Sequence, residues 1–354
     1  MITAKFILKN YVNPVFLNTG RKAGNCAYFY NDGNQYLITR ETDYIYGKHP
    51  DGMRMYTEND GSNIIHSNES IYKKQGTELT FIKRLTKAEG SDWGFEDPRT
   101  IVWNNDLYLI FSRRSLHNSS NFQVNFGKLN KEFKYIDNRV NNGKQLIEKN
   151  WQPIEGKPGL CIYSVKPFQL IDLFNNKYIN VSNKFPLLLR GSSNIIKYGD
   201  CYLGISHIRN EAFEYLHYIV LYDKNMKLLK ISEPFSFLGA KVEFNCYIEH
   251  TENKFIIPVS IHDQLIYEFT LDDMQMESIL NKEWNNTYKD NSVFSTLYND
   301  AKRTNNIAAA LVIATFSYDK DVLADAIPIN HNKNYFRGKS QHALQRVLLE
   351  NYKR

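Results

Sequence analysis

Five short phrases of one form recur along the chain: an apolar run that ends in a small hydroxyl residue. They are Tyr36-Leu37-Ile38-Thr39, Leu109-Ile110-Phe111-Ser112, Cys161-Ile162-Tyr163-Ser164, Leu203-Gly204-Ile205-Ser206 and Ile257-Pro258-Val259-Ser260. Counted between the hydroxyl residues, the intervals are 73, 52, 42 and 54 residues, for most units near the length of a propeller blade. Residues that tolerate positive φ precede three of them, at Asn31-Asp32-Gly33-Asn34, Asn104-Asn105-Asp106 and Tyr198-Gly199-Asp200,. Strand-like stretches follow at 122–129, 178–181, 217–222 and 265–271. Strand, tight turn, strand and one or two outer strands, repeated radially, make a β-propeller blade. No long amphipathic helix lies between Ala23 and Met274, which disfavours a doubly wound α/β domain with its helix after nearly every strand. A β-sandwich with irregular hairpins is the competing arrangement. The phrases predict an all-β fold, a five-bladed β-propeller over residues 1–273.

After Asp273 the character changes. Helical spacing runs over 274–281 and 291–302, a continuous apolar run over 307–316, and a basic amphipathic helix over 338–354 with Leu344, Val347, Leu348 and Tyr352 on one face,. Residues 274–354 are therefore expected as a mainly helical extension on or beside the propeller. Its last helix either covers the outside of a blade or docks on a membrane surface or partner protein. The start of the chain lacks a secretory pattern and no apolar run reaches the roughly 18–20 residues of a membrane span,. Residence in the cytoplasm is expected, with the basic tail able to reach the inner membrane face.

Composition limits the chemistry. Lys+Arg less Asp+Glu is 44 − 38 = +6, which suits anionic substrates and is too small to indicate nucleic acid. With 24 Tyr, 21 Phe and 4 Trp, the chain is rich in rings that fit half-buried pleated surfaces and can stack on sugars. Cys26, Cys161, Cys201 and Cys246 contain no Cys-x-x-Cys pair, so buried free thiols are expected rather than a zinc site. Neither metal nor cofactor is expected. Asp319-Lys320-Asp321 has the spacing of two carboxylates sharing a divalent cation,, but it lies outside the repeats and is common by chance.

The sharpest local phrase is Trp93-Gly94-Phe95-Glu96-Asp97-Pro98-Arg99. A residue before proline is driven to extended backbone, and proline fixes the next φ. Asp97 is thus expected to be extended and rigid at a strand entrance, where a propeller opens its funnel. Glu96, Asp97 and Arg99 together suit a carboxylate of tuned pKa beside a substrate-orienting cation; an ordinary turn closed by an ion pair is the plainer alternative. His262 and Asp263 are neighbours in a strand, so only one is expected to face the funnel. His250, His331 and His342 sit in polar surroundings and are expected at the surface.

Further phrases follow in order: Glu148-Lys149-Asn150-Trp151-Gln152-Pro153, Leu189-Arg190-Gly191-Ser192-Ser193, Ile205-Ser206-His207, Val242-Glu243-Phe244-Asn245-Cys246 and Ser260-Ile261-His262-Asp263. Their order and wording, with Glu96-Asp97-Pro98-Arg99 the strongest, resemble the five-bladed propellers of glycoside hydrolase family 130, the β-mannoside phosphorylases, and their relatives in glycosyltransferase family 108. The resemblance spans about Asn25 to Leu271. It implies that Asp97 is the acid or base of an inverting reaction at an anomeric carbon, its proton relayed through a sugar hydroxyl. It implies Arg40 as a sugar contact, with Glu96 and Arg99 beside it, and Arg190, His207, Glu243 and Asp263 at the mouths of the fourth and fifth blades. Lys149 and Asn150 become hydroxyl or phosphate contacts, and Arg113, Arg114 and His117 phosphate candidates by position. A full cationic cluster for inorganic phosphate is not matched. The first functional expectation is therefore an inverting glycosyltransferase that builds a β-mannoside-like linkage in a surface or storage glycan. Its partners would be a sugar donor (nucleotide sugar or sugar phosphate) and an oligosaccharide acceptor. A β-mannoside phosphorylase or hydrolase is the alternative, and a non-catalytic carbohydrate-binding propeller the third.

Overall fold

The computed structural model of the chain describes residues 4–42, 44–49, 52–57, 67–85, 95–114, 122–141, 143, 147–165, 167–183, 185, 187–210, 214–281, 292–303, 305–314, 320–332, 344–345, 347–349 and 352. Five sheets of four or more strands follow one another along the chain, and a separate two-stranded sheet of Tyr44–His49 and Gly52–Thr57 is inserted within the sequence of the first. Blade one comprises Ala23–Asn31, Asn34–Thr42, Ser67–Gln75 and Glu78–Arg84; blade two Phe95–Trp103, Asp106–Arg114, Phe122–Leu129 and Tyr135–Asn141. Blade three comprises Gln152–Pro153, Leu160–Val165, Phe168–Asp172 and Lys177–Asn180. Blade four comprises Arg190–Tyr198, Cys201–Arg209, Tyr215–Tyr222 and Leu228–Ile231, extended by Phe235–Ser236 and Phe6–Ile7. In blade five, Glu243–Phe244 and Glu249–Thr251 pair with Lys254–Ile261, and Leu265–Asp272 with Val15–Leu17. The protein is a five-bladed β-propeller. Because Val15–Leu17 pairs with Leu265–Asp272, strands from both ends of the propeller share one sheet, the device that closes such a ring.

The expected hairpin turns form. Asp32 and Gly33 have φ of 46° and 73°, and Asn104 and Asn105 have 52° and 64°, the two left-handed residues of a tight hairpin. All five recurrent hydroxyl residues lie on the second strand of their blade. In blades one, two and four they stand where first- and second-strand pairing slips, between Gly24 and Cys26, Ser112 and Ile110, and Gly191 and Ile195. A bulge crowds the space beside it, and a small side chain fits there. The Thr39 hydroxyl also donates to the Gly24 carbonyl at 2.7 Å.

Each joint between blades carries a specific contact. Thr100 donates to the Tyr28 carbonyl, Trp103 Nε1 to Ile154 at 2.9 Å, Gln152 Nε2 to Ser193 at 2.9 Å, and the Ile248 amide to Asn194 Oδ1 at 2.8 Å. Between blades five and one, Tyr28 donates to Glu268 Oε2 at 2.6 Å. These bonds satisfy buried polar groups that would otherwise each cost about 1–3 kcal/mol.

Among the elements with described bounds, four helices follow the last blade: α1 (Asp273–Leu280), α2 (Ser292–Arg303), α3 (Ile307–Ala314) and α4 (Lys320–Asn332). Asp272 and Gln275 form a reciprocal capping box on α1,. The apolar run becomes α3, whereas α4, which includes Pro328, was not expected, although its buried Val322, Leu323 and Ala326 stand at helical spacing. Leu297, Tyr298, Leu311, Ile313, Leu323, Leu344 and Leu348 share one core with Phe255, Val259 and Phe269 of blade five. Leu344, Val347 and Leu348 are buried while Tyr352 is exposed. The apolar face offered to a membrane or partner in the sequence reading is thus spent inside the protein. No helix among the described residues is long and apolar enough to cross a membrane. His250, expected at the surface, is partly buried: its Nε2 lies 2.8 Å from Asp273 Oδ1 and its ring 4.3 Å from that of Phe255. Asp319 and His117, and the side chains of Arg114, His331 and His342, lie outside the described residues.

The joint between blades five and one is tight. A Cβ on Gly24 would stand 2.4 Å from the Asp263 carbonyl carbon, whereas one on Gly76 meets nothing within 4 Å. Gly24→Ala is expected to lose about 2 kcal/mol or more by overpacking, and Gly76→Ala about 1 kcal/mol from its left-handed backbone alone. Urea unfolding measures both; equal losses would show that the joint yields.

Candidate active site

The first strands of neighbouring blades pack on one another around the ring, and Phe95–Trp103 also meets Arg190–Tyr198 across it. Bulges at their upper ends turn side chains toward this centre. Asn25 in blade one and Asp97 in blade two occupy corresponding bulges, with φ of 38° and 56°. The extended backbone expected of Asp97 before Pro98 is therefore not found. The bulge places Asp97 in the left-handed region, at a cost of order 1–3 kcal/mol. Two contacts hold it there: Asn25 Nδ2 donates to Asp97 Oδ1 at 2.7 Å, and Arg99 Nη1 to the Asp97 carbonyl at 2.9 Å.

Arg40 lies at the centre, 3% exposed. Its Nη2 is 3.0 Å from Glu96 Oε1, its Nη1 3.9 Å from Asp97 Oδ1, and its Nε donates to Ser67 Oγ at 2.9 Å. Burial works against its charge, but Glu96, Tyr44, Asp263 and Asp97 outweigh it and hold the guanidinium firmly protonated,. Lys149 Nζ donates to Glu96 Oε2 at 2.6 Å and lies 3.6 Å from the centre of the Phe122 ring. Glu96 is thus clamped between two cations.

Asp263 enters from blade five. It and His262 form a left-handed turn, φ 60° and 53°, so strand alternation does not apply and both are buried. Burial pushes the Asp263 carboxyl up to about 6; Arg40 works against this, Asp97 and Glu96 add to it, and a hydrogen bond from Tyr44 at 3.3 Å works against it.

Some expected residues serve other purposes. Arg99 is 1% exposed; its Nε reaches the Ser192 carbonyl at 2.6 Å and braces blade two against blade four, while its Nη2 has no acceptor among the described residues. Glu243 is wholly buried and accepts from the amides of Phe237, Leu238 and Ala240 at 2.7–2.8 Å. Both oxygens are occupied, and the residue organises a loop rather than the mouth of a blade. Burial raises its carboxyl to about 7. His207 Nδ1 lies 2.8 Å from Ser192 Oγ and its ring stacks 5.5 Å from that of Tyr215. Burial, then His217, Arg190, Arg99 and Arg209, keep it well below the usual histidine range, hence neutral. Arg190 pairs with His207 across the strands and is exposed. The Asn150 side chain is half-buried at φ 65°, with its carbonyl turned to Gly191. Arg113, opposite Phe95 in blade two, is 8% exposed, and its Nε has no acceptor among the described residues; burial lowers its hold on the proton.

Sequence reasoning missed Asn25, Tyr44 and Glu69. Asn25 precedes Thr39 by nearly the interval that separates Asp97 from Ser112, a signal that was available. Glu69 pairs with Arg40 across the sheet, and burial holds its carboxyl well above the usual range despite that guanidinium. Among the described residues no cluster of three or more metal-ligating side chains occurs.

The fold is shared with solved sugar-processing enzymes. A β-1,2-mannobiose phosphorylase from Listeria innocua, in complex with β-1,2-mannobiose, superposes with TM-score 0.57 at 14% identity, over 76% of this chain and 98% of that one. A hypothetical protein from Leishmania major gives 0.52 at 14%, over 75% and 91%. A member of the GH130 family of mannoside phosphorylases, a family described as containing hydrolases that target β-1,2 mannosidic linkages in Candida mannan, gives 0.51 at 12%, over 72% and 85%. No protein-family model matches the chain. No curated protein does either.

The raised Asp263 carboxyl has a thermodynamic consequence. Its folded value of about 6 exceeds the ordinary 3.8, so the fold favours the protonated form, and stability declines as pH rises from about 4 to about 7. Asp263→Asn removes this dependence. Relative to wild type, the variant is expected to gain roughly 3 kcal/mol across that interval. Urea unfolding at pH 4 and 7 measures it; parallel stability curves would contradict the buried, proton-retaining carboxyl.

Proposed function

We infer that the protein is an inverting β-mannoside phosphorylase. Asp97 supports the reading most: it is a carboxylate held in strained backbone at a propeller's centre by Asn25 and faced by Arg40. The fold shared with a mannobiose phosphorylase and a mannoside-degrading family favours degradation over the glycosyl transfer first expected. Arg40 and Glu96 would orient sugar hydroxyls, and Asp97 would give its proton, through a sugar hydroxyl, to the departing glycosidic oxygen. A phosphate oxygen forms the new bond to the anomeric carbon from the opposite face as that bond breaks, yielding mannose 1-phosphate and a shortened acceptor. Among the described residues, Arg113 and Arg99, buried with Nε and Nη2 unmatched respectively, and exposed Arg190 are candidate cations for phosphate.

Hydrolysis is the second reading, favoured by the commitment of the other cations. Lys149 and Arg40 are engaged with Glu96, and two of the three Arg99 nitrogens with backbone, so water could replace phosphate as the attacking group.

One assay separates the readings. Incubated with β-linked manno-oligosaccharides, the protein is expected to release mannose 1-phosphate only when phosphate is present. Asp97→Asn should lower turnover at least a thousandfold while ligand affinity stays within about tenfold, and Arg113→Ala should raise KM for phosphate more than KM for sugar. Free mannose released at equal rates with and without phosphate would establish the hydrolase. Elongation from a nucleotide sugar without phosphorolysis would return the transferase, and an Asp97→Asn protein unchanged in every assay would indicate a binding module.

A further inference from the structure

Helix α3 starts beside the candidate site. The Ala309 amide donates to Asn306 Oδ1 at 3.2 Å and the Ala310 amide to the Asn306 carbonyl at 3.0 Å, which makes Asn306 the N-cap. The other end of the same side-chain amide, Nδ2, donates to Gln264 Oε1 at 3.2 Å. Gln264 Nε2 donates in turn to Thr42 Oγ1 and to the Tyr44 carbonyl, each at 2.6 Å. Tyr44 then carries its hydroxyl to Asp263 Oδ2 at 3.3 Å, and its ring lies 5.4 Å from the Arg40 guanidinium. Asn306 and Gln264 are each 2% exposed and Tyr44 5%. Tyr44 also opens a hairpin of Tyr44–His49 and Gly52–Thr57, whose first strand packs on α3.

The chain of bonds has one workable orientation. Flipping either amide would set donor against donor or acceptor against acceptor at a buried contact. A displacement of Asn306 is therefore passed to Gln264 and on to Tyr44, instead of being absorbed by water.

We propose that Asn306 and Gln264 are positioning residues of the candidate site: through these two amides the helical extension holds Tyr44 and its hairpin against Arg40 and Asp263. The extension is then part of the construction of the site and not an appendage to the propeller. As to substrate, this rests on the β-mannoside reading; as to geometry, it does not.

Asn306→Ser tests it, because serine caps a helix as well as asparagine but cannot reach Gln264. Melting is expected to fall by only about 3 °C. Amide hydrogen exchange over residues 44–57 should quicken about tenfold while that of Phe95–Trp103 stays unchanged. The NMR-followed titration of the Asp263 carboxyl should move upward as the Tyr44 hydrogen bond weakens. With a β-mannobiose substrate, KM should rise about tenfold with kcat less affected. Tyr44→Phe should reproduce the titration change but not the exchange change. Wild-type exchange and titration in Asn306→Ser would overturn the proposal, whether or not any sugar is turned over. If that variant does not fold, an unmoved Asp263 titration in Tyr44→Phe overturns it instead. Loss of protection and a moved titration in a protein that cleaves no mannoside would uphold the positioning role and sink the β-mannoside reading.

Discussion

Arg40 is a full positive charge 3% exposed to water, and the upper end of the propeller is arranged around that fact. A buried, unpaired guanidinium costs several kcal/mol. Ser67 of its own blade accepts from its Nε, but the carboxylates that hold its charge come from other blades: Glu96 and Asp97 from the second, Asp263 from the fifth. Three separate sheets are thereby fixed to one another by electrostatics. The same carboxylates that balance Arg40 repel each other. Part of that repulsion and the burial of Asp263 are relieved by keeping a proton on Asp263 until about pH 6.

The supporting shell divides its work by residue type. Polar side chains with two-ended hydrogen-bonding groups, Gln152, Asn194, Gln264 and Asn306, cross between segments and satisfy buried backbone. Arg99 does likewise through Nε and Nη1, while its Nη2 has no acceptor among the described residues. Among the described residues, the Asp97 carboxyl, Arg40 and Glu96 gather at the centre, with Arg113 buried in the same blade as Asp97 and Arg190 exposed in blade four.

Much of the architecture was legible because the signals are local. Hairpin turns need left-handed residues, and Asp32-Gly33 and Asn104-Asn105 supplied them; bulges need small neighbours, and Thr39, Ser112 and Ser206 marked them. The central placement of Asp97 was legible through a motif and that of Arg40 through the family resemblance, although the backbone at Asp97 was not. A proline rule that describes isolated dipeptides yields to a bulge braced by Asn25 and Arg99. Glu243 could not be placed, since the loop amides that occupy it reveal themselves only after folding. Tyr44 and Gln264 escaped notice for the opposite reason: they become neighbours of the site only when residues more than 200 positions apart come together.

The most direct test of the central claim, a single displacement at an anomeric carbon with Asp97 supplying the proton, is proton NMR of the first product formed from a β-linked manno-oligosaccharide in phosphate buffer. The account predicts that mannose 1-phosphate appears as the α anomer from the earliest time point. Initial appearance of the β anomer would require a second displacement and a nucleophile on the enzyme, and would contradict the role assigned to Asp97.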